Sequence, residues 1–456
     1  MKKILLKNLS YLATMRNETE LLTDVSVLIE GNRITQIAKD IPAQELDEII
    51  DSRGFLAFPG MINTHHHFYQ SLTRGVPEVN NAELFDWLVY LYEVWRGLDP
   101  EWVETSTRVV AGELLLTGCT LASDMFYVFP EKAPKNLLDY EIEAAREMGI
   151  RLHPCRGSMS RGRSKGGLPP DDVTQSEEEI LRDSQRVLEK YHDLSPFAMT
   201  RIALGPCSPF SVTKELMAES LKLARSYKAL SHTHLAETRD EEKYCREIYQ
   251  LRPYPLMESL GWVGPDVWFA HSIFLNQEEI HQMGENRCGV AHCPTSNMRL
   301  GSGIAPIPEL IQAGAKVSLA VDGSASNDSS DMWGEARNAM LLARVRNGAK
   351  AMSPHQALYL ATRGGAEVLG WEELGVIQEG KAADLVLVNM NRLGFAGSPF
   401  DPVSALLLCG DSHIVDYTIV NGEVLVREGK LVRVDEQKLI EDANRIARKK
   451  LKAVTG

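Results

Sequence analysis

The stretch that decides the fold of this 456-residue chain is FPGMINTHHH (residues 58–67), an apolar run that ends in three histidines. Alternate residues of a strand point to the same side, so His65 and His67 can face one ion while His66 points away. Neutral imidazole is a common zinc ligand, and a catalytic zinc keeps one coordination position for water. The stretch therefore predicts a buried strand that carries two metal ligands.

Three other short stretches, far apart along the chain, complete a metal site with its acid and base. His234-Leu235-Ala236-Glu237 adds a third nitrogen ligand and a carboxylate, His271 stands alone, and Asp322-Gly323 adds a hard oxygen ligand. An ion held in this way lowers the pKa of a water ligand from about 15.7 to about 7. Together the four stretches indicate a metal-dependent hydrolase.

Each of these polar residues closes an apolar run and precedes a loop. Trp268-Phe269-Ala270 ends at His271, and residues 317–321 (VSLAV) end at Asp322. Apolar strands alternate with helical segments through this part of the chain, and active sites of (β/α)₈ barrels form at the carboxyl ends of the strands. We therefore predict an α/β fold, with a TIM-type (β/α)₈ catalytic barrel over residues 59–366.

The two ends of the chain are rich in strands. Val25–Glu30 mostly alternates apolar and polar residues, and a Gly31-Asn32 turn follows it. Near the other end, residues 383–388 and the hairpin over 417–426 have the same character. We predict one small β-sandwich built from residues 1–58 and 367–456, followed by a helix from Glu436 to about Val454.

Composition limits the partners and the compartment. Forty-nine basic and 62 acidic residues give a net charge of −13, which argues against a nucleic-acid partner because phosphate binding needs a basic surface. Seven cysteines at irregular spacings form no disulfide framework and fit a reducing compartment. No apolar stretch reaches the roughly 18 residues of a membrane span. We expect a cytoplasmic protein with a small-molecule substrate.

The order HxH, HLAE, lone His and DG resembles the amidohydrolase superfamily, in the branch that deaminates purines, pyrimidines and triazines. The resemblance covers about Lys3 to about Val432. Its motifs are similar to those of four barrel strands, the first, fifth, seventh and eighth: PGMINTH (59–65), HTHLAE (232–237), HCPTSN (292–297) and VDG (321–323). It implies the same barrel and terminal sandwich, and relatives often form oligomers, so we expect a homo-oligomer.

Within that branch, several stretches look like those of the 8-oxoguanine deaminases. They are HHFYQSLTR (66–74), RGSMS (156–160), GLPP (167–170), PCSPFS (206–211) and DGSASND (322–328). The sequence departs from the pattern after Asp124, where Met125-Phe126-Tyr127 stands in place of a histidine-containing pocket segment. This departure leaves the metal chemistry unchanged and bears on which ring the pocket holds.

The resemblance implies hydrolysis of 8-oxoguanine to urate and ammonia, or deamination of a related ring such as isocytosine or guanine. An s-triazine hydrolase that expels chloride or an amine is the alternative, since the same attack by water serves both leaving groups. A catalytically idle, metal-bound protein is disfavoured because every expected ligand and Glu237 are present.

We expect His65, His67, His234 and Asp322 to hold one divalent ion, most simply Zn²⁺, with Fe²⁺ as an alternative. No motif suggests a lysine that bridges two metals. Three residues are the predicted catalytic groups. Glu237 moves a proton from water to a ring nitrogen, His271 steadies the attacking oxygen, and Asp322 takes the second proton.

Gln70, Tyr127 and Cys207 are the predicted substrate contacts. The Gln70 amide can donate and accept, which suits a lactam edge, whereas Tyr127 and Cys207 are chosen by position. Arg74 either contacts substrate or braces its loop. Two aromatic residues, Tyr92 and Trp95, belong to a cluster with Trp87 and Tyr90 that forms core or a dimer contact, or else caps a flat ring.

The remaining histidines have no motif that indicates a ligand. His232 is expected to be a core residue or to pack behind the ligands, and His292 is expected to be structural. Five others are expected to be ordinary histidines: His153, His192, His281, His355 and His413. The glycine- and charge-rich stretch from Ser160 to Glu179 is predicted to be a long loop that acts as a lid.

Overall fold

The computed structural model describes residues 1–43, 45–409 and 415–455, so His413 lies outside the described residues. Among these residues, no helix combines the length and apolar character needed to cross a bilayer. The strands are β1 (Lys3–Ala13), β2 (Leu21–Glu30), β3 (Arg33–Ala38), β4 (Glu48–Asp51), β5 (Phe55–Pro59), β6 (Met61–Asn63), β7 (His66–His67), β8 (Cys119–Ala122), β9 (Met125–Phe126), β10 (Arg151–Leu152), β11 (Cys155–Ser158), β12 (Ala203–Pro206), β13 (Leu230–Leu235), β14 (Val267–His271), β15 (Gly289–His292), β16 (Lys316–Leu319), β17 (Asp322–Gly323), β18 (Leu385–Asn389), β19 (Tyr417–Val420), β20 (Glu423–Arg427) and β21 (Lys430–Leu431). The α-helices are α1 (Leu84–Trp95), α2 (Pro100–Leu116), α3 (Leu137–Met148), α4 (Glu177–Tyr191), α5 (Lys214–Ser226), α6 (Arg239–Tyr249), α7 (Pro253–Ser259), α8 (Gln277–Glu285), α9 (Pro294–Arg299), α10 (Ile307–Ala313), α11 (Met332–Asn347), α12 (Pro354–Tyr359), α13 (Gly365–Leu369), α14 (Pro402–Leu408) and α15 (Glu436–Thr455).

The middle of the chain forms the predicted barrel. Four of its eight parallel strands are broken in two: the first is β6 with β7, the second β8 with β9, the third β10 with β11, and the eighth β16 with β17. One group of hydrogen-bonded strands contains β9 and then β11 to β16 in chain order. A second group contains β6, β8 and β10. β17 then pairs with β7, Asp322 opposite His66, which returns the ladder to the first strand. The predicted fold class is thus confirmed.

The terminal strands form one mixed sheet of nine strands. Its order is β21-β20-β19-β18-β5-β1-β2-β3, and β4 pairs with the free part of β1. The strand β5 joins the two ends of the chain, because it pairs parallel with β1 and antiparallel with β18. A second hydrophobic core, separate from the barrel core, lies against this sheet and includes Leu6, Ile29 and Leu385.

A buried ion pair fastens the sheet to the barrel. Arg151, on the third barrel strand, donates from Nε and Nη2 to the two carboxylate oxygens of Asp384, at 2.8 and 2.9 Å. Asp384 directly precedes β18, and the Arg151 side chain is fully buried. The remaining Arg151 donors reach the carbonyls of Phe197 and Ala198 and the side chain of Asn421. Each of the three guanidinium nitrogens of Arg151 therefore has a hydrogen-bond acceptor.

Both predicted domain boundaries fall inside secondary-structure elements. The boundary at 58/59 cuts β5, which ends at Pro59, and the boundary at 366/367 cuts α13. Helix α13 contacts β6, β15 and β16 of the barrel. We therefore propose that the barrel extends to Leu369 and begins after Pro59.

The predicted loop over 160–179 is shorter than expected, because helix α4 begins at Glu177. Ser176 Oγ accepts a hydrogen bond from the amide of Glu179, and the Glu179 carboxylate accepts one from the amide of Ser176. This reciprocal arrangement is a capping box, which favours a helix start. The charged run Glu177-Glu178-Glu179 is thus a first helical turn, where carboxylates stabilise the helix dipole.

Candidate active site

The four predicted metal ligands meet at the carboxyl end of the barrel. His65 and His67 come from the first strand, His234 from β13 and Asp322 from β17, and each offers one atom to a cluster within 4.8 Å. Asp322 Oδ1 lies 3.3 Å from His65 Nε2 and 3.4 Å from His67 Nε2. His65, His67 and Asp322 are buried, and His234 is partly buried.

Hydrogen bonds on the far side of two rings fix which nitrogen faces the centre. Nδ1 of His67 donates to the carbonyl of Met125 at 2.8 Å, and Nδ1 of His234 donates to the carbonyl of Cys207 at 2.6 Å. A carbonyl can only accept, so in the neutral rings both Nε2 atoms carry lone pairs. These Nε2 atoms point at the cluster, 3.2 Å apart.

His65 is oriented in the same way through a second histidine. His232 donates from Nδ1 to the carbonyl of Trp268 at 2.9 Å and stacks on the Trp268 ring, with centroids 4.2 Å apart. Its Nε2 therefore accepts from His65 Nδ1, at 2.8 Å. His65 Nε2 therefore carries a lone pair and has no hydrogen-bond partner. His232 thus orients His65 from behind, which is one of the two roles expected for it.

This donor set fits a divalent cation. Three imidazole lone pairs and a carboxylate converge without a proton donor between them, an arrangement typical of Zn²⁺ ligation. Burial lowers the pKa of His234 to about 3 and holds the pKa values of His65 and His67 below the ordinary value as well. The three rings are therefore neutral at pH 7, the form that binds metal.

Asp322 is held by three donors. Its Oδ2 accepts from Ser296 Oγ at 2.6 Å and from Ser326 Oγ at 3.2 Å, while Oδ1 accepts from the amide of Gly323 at 2.6 Å. Burial alone would raise the pKa of Asp322, but the nearby imidazoles of His65, His271 and His67 hold that pKa well below its usual value. The residue is a fixed carboxylate.

Glu237 and His271 face each other beside the metal cluster. His271 Nε2 lies 3.5 Å from Glu237 Oε2 and 4.0 Å from Asp322 Oδ2. Burial raises the pKa of Glu237 to about 7. Burial by itself would lower the pKa of His271, but the Glu237 and Asp322 carboxylates outweigh it, so that pKa is raised. Asn297 Oδ1 accepts from His271 Nδ1 at 2.9 Å and fixes the ring.

A cavity opens above this cluster, with about 440 Å³ of space between the protein atoms when its open mouth is included. All three predicted substrate contacts line it, and so do Glu237 and His271. The polar lining also includes Ser208 and Ser326. The apolar lining comes from helix α1 and two loops: Leu84, Trp87, Leu88, Tyr92, Phe210 and Leu300.

Two predicted elements do not line this cavity. No residue from Ser160 to Glu179 does, whereas helix α1 contributes Leu84, Trp87, Leu88 and Tyr92 to the lining; the lid stays a prediction. The side chains of Met125 and Phe126 are also absent from the lining, although both are fully buried. Met125 instead acts through its carbonyl, which holds His67.

Arg74 braces its loop. Its guanidinium forms an ion pair with Glu113 on α2 and donates to Ser324 Oγ at 3.2 Å. The side chain does not line the cavity. Of the two alternatives for this residue, the structure favours the brace.

Part of the cavity wall could not be predicted from the sequence. Leu84, Leu88 and Leu300 carry no signal that separates them from core leucines, and Phe210 lies inside a quoted motif without a role of its own. Trp87 and Tyr92 belong to the predicted aromatic cluster and both line the cavity, while the ring of Trp95 packs edge-on against that of Tyr92, with centroids 5.8 Å apart.

Residues 56–425 match the Amidohydrolase family. The chain belongs to that family. This amidohydrolase is 46% identical over 416 residues to an 8-oxoguanine deaminase of Pseudomonas aeruginosa, an alignment that covers 91% of this chain and 92% of the relative. It is 34% identical to a hydroxydechloroatrazine ethylaminohydrolase of Pseudomonas sp. strain ADP, over 94% and 92% of the two chains.

A solved structure has the same fold. The zinc complex of atrazine chlorohydrolase from Arthrobacter aurescens TC1 superposes with a TM-score of 0.94 at 32% identity, over 97% of this amidohydrolase and all of that chain. The predicted superfamily is confirmed, and with it the assignment of the protein as a hydrolytic enzyme with a metal site.

Proposed function

We propose that this amidohydrolase deaminates 8-oxoguanine, adding water and releasing urate and ammonia. The observation that carries the proposal is Glu237, a buried carboxylate with a pKa of about 7, beside three neutral imidazoles and Asp322 at the base of a cavity. The 46% identity to an 8-oxoguanine deaminase supports this choice of ring. Guanine and isocytosine, which share the amino-oxo edge, are further candidate substrates.

His65, His67, His234 and Asp322 would hold the ion. A divalent cation supplies Lewis acidity and a water ligand of lowered pKa. Glu237 Oε2 accepts a proton from the attacking water and delivers it to a ring nitrogen, which makes the adjacent carbon electrophilic. His271 Nε2 donates to the attacking oxygen. Asp322 takes the second proton as the amine leaves.

Substrate recognition would rest on Gln70 and on the uncharged wall. Gln70 is 1% exposed, and its Oε1 has no hydrogen-bond partner, so the amide oxygen is free to accept from a ring N–H. No lysine or arginine is among the described residues that line the cavity. A phosphorylated substrate would have no counter-charge there, so a free base fits better than a nucleotide.

A second candidate is an s-triazine hydrolase. The apolar wall of Leu84, Leu88 and Phe210 would suit an N-alkyl substituent, and relatives named for triazine substrates support it at 34% and 32% identity. The higher identity of the 8-oxoguanine deaminase keeps the purine first.

The proposal includes one zinc ion, a cytoplasmic location and a homo-oligomer. The four clustered ligands support a single ion, and zinc suits three imidazoles with one carboxylate. The cysteines among the described residues are all free thiols, as in a reducing compartment. Metal analysis and light scattering of the purified protein test the ion count and the assembly.

The test is ammonia release by the zinc-loaded protein from 8-oxoguanine, guanine and isocytosine, with chloride and alkylamine release from triazines measured alongside. We expect 8-oxoguanine to be turned over fastest. Glu237→Gln, checked for unchanged zinc content, should lose about 10²–10⁴-fold in kcat. Turnover of triazines alone would replace the purine assignment with the second candidate.

A further inference from the structure

Glu241 is a buried carboxylate that the proposed chemistry does not use. It lies in the first turn of helix α6, is 1% exposed, and forms no salt bridge with any of the described residues. A buried carboxylate without a cation is costly unless its oxygens accept hydrogen bonds. The two carboxylate oxygens of Glu241 instead accept hydrogen bonds from two backbone amides of one turn.

The turn is the one that aims Glu237. Glu241 Oε1 accepts from the amide of Ala236 and Oε2 from the amide of Glu237, both at 2.9 Å. Ala236 has φ +53°, a left-handed conformation that strains a residue with a Cβ. The two hydrogen bonds from Glu241 stabilise this turn where the chain leaves β13.

The same turn holds the loop that carries His271. The carbonyl of Ala236 accepts from the amides of Ile273 and Phe274, at 3.0 and 2.9 Å. These residues follow His271 (φ +70°) and Ser272 (φ +52°), two consecutive left-handed residues. The peptide units around Ala236 thus connect Glu241 on one side to the His271 loop on the other.

From these contacts we infer that Glu241 is a positioning residue, which sets the placement of both Glu237 and His271 through the backbone of residues 236–237 and 272–274. This inference rests on the proposed roles of Glu237 and His271. It assigns to Glu241 no contact with substrate or metal. Its function is to keep the two reacting side chains at their 3.5 Å separation.

The test is Glu241→Gln, which keeps the size of the side chain but places an NH₂ group, unable to accept, against one of the two amides. We expect kcat to fall about 10–100-fold, as for other residues that orient catalytic groups, with KM within about twofold and zinc content unchanged. Glu247→Gln, an exposed change of the same kind on the same helix, is the matched control and should retain wild-type kcat.

Amide hydrogen exchange of the zinc-loaded protein separates this inference from the substrate assignment. In Glu241→Gln, peptides that cover 235–238 and 271–275 should both exchange faster than in the wild type, whether or not any tested ring is a substrate. Unchanged exchange in the 271–275 peptide overturns the inference. So does a Glu241→Gln protein with wild-type kcat on a ring that the wild type turns over.

If Glu241→Gln does not fold, Glu241→Asp provides the second variant. Its shorter side chain keeps the charge but cannot span both amides with the native geometry. A folded, zinc-loaded Glu241→Asp should show the same pair of effects, loss of kcat and faster exchange in both peptides. Wild-type values for both would overturn the inference.

Discussion

The Nε2 atoms of His67 and His234 lie 3.2 Å apart with a lone pair on each, because Nδ1 of each ring donates to a backbone carbonyl. Two buried acceptors at this separation repel each other, and His65 and Asp322 add two more acceptors. A cation relieves that repulsion. The arrangement therefore links metal binding to the stability of the fold.

Metal removal should consequently lower the thermal stability. A ligand that binds only the folded protein, at 100 times its Kd, stabilises it by about 2.7 kcal/mol. We expect chelation to lower the Tm by several degrees, and added zinc to restore it, in a thermal melt followed by circular dichroism. The Tm of His234→Gln should respond much less to the chelator. A wild-type Tm that ignores the chelator would contradict this linkage.

Turnover should fall at acidic pH because of Glu237. Burial raises the pKa of this carboxyl to about 7, so the group is protonated below that pH and cannot accept a proton from water. We expect kcat/KM to rise with pH up to about 7 and then level off, with about tenfold loss per unit on the acidic side. Zinc content is measured at each pH as the control. A profile flat from pH 5.5 to 8 would show that another group is the base.

Gly323 should be required for the placement of Gln70. A Cβ at position 323 would lie 1.9 Å from Gln70 Oε1 and 2.5 Å from its Cδ. Gly323→Ala should therefore displace the Gln70 amide and raise KM about tenfold or more, the cost of one lost hydrogen bond. In a Gln70→Ala background the obstruction is gone, so adding Gly323→Ala should change KM by less than about twofold. Equal effects in both backgrounds would mean that Gly323 acts on Asp322 instead.

The ion pair between Arg151 and Asp384 should matter to stability more than any surface pair. Asp384→Ala leaves a buried guanidinium without its carboxylate, a change that typically costs about 3–5 kcal/mol. The matched control is Asp266→Ala, which breaks the partly exposed pair with Arg225 and should cost less than about 1 kcal/mol. Chemical denaturation of both variants compares them. Equal losses of unfolding free energy in the two variants would mean that the buried pair stabilises the fold no more than the surface pair does.

The sequence predicted the metal cluster because each ligand closes a strand within a short local motif, and barrel topology brings strand ends together. It could not predict the cavity wall, since Leu84 and Leu88 lie on a helix with the same spacing as core leucines. The ion pair of Arg151 with Asp384 joins residues 233 positions apart and carries no local signal. The role of Glu241 depends on the left-handed conformation of Ala236, which no residue type in that turn demands.

The pairing of β5 with β18 has a consequence for co-translational folding. About 330 residues separate the two strands, so at about 5–20 residues per second β5 waits roughly 15–65 s for its partner. During that time its sequence, FLAFP, presents an apolar strand edge of the kind that templates aggregation. The nascent chain therefore depends on protection of this one edge until its C-terminal strands emerge.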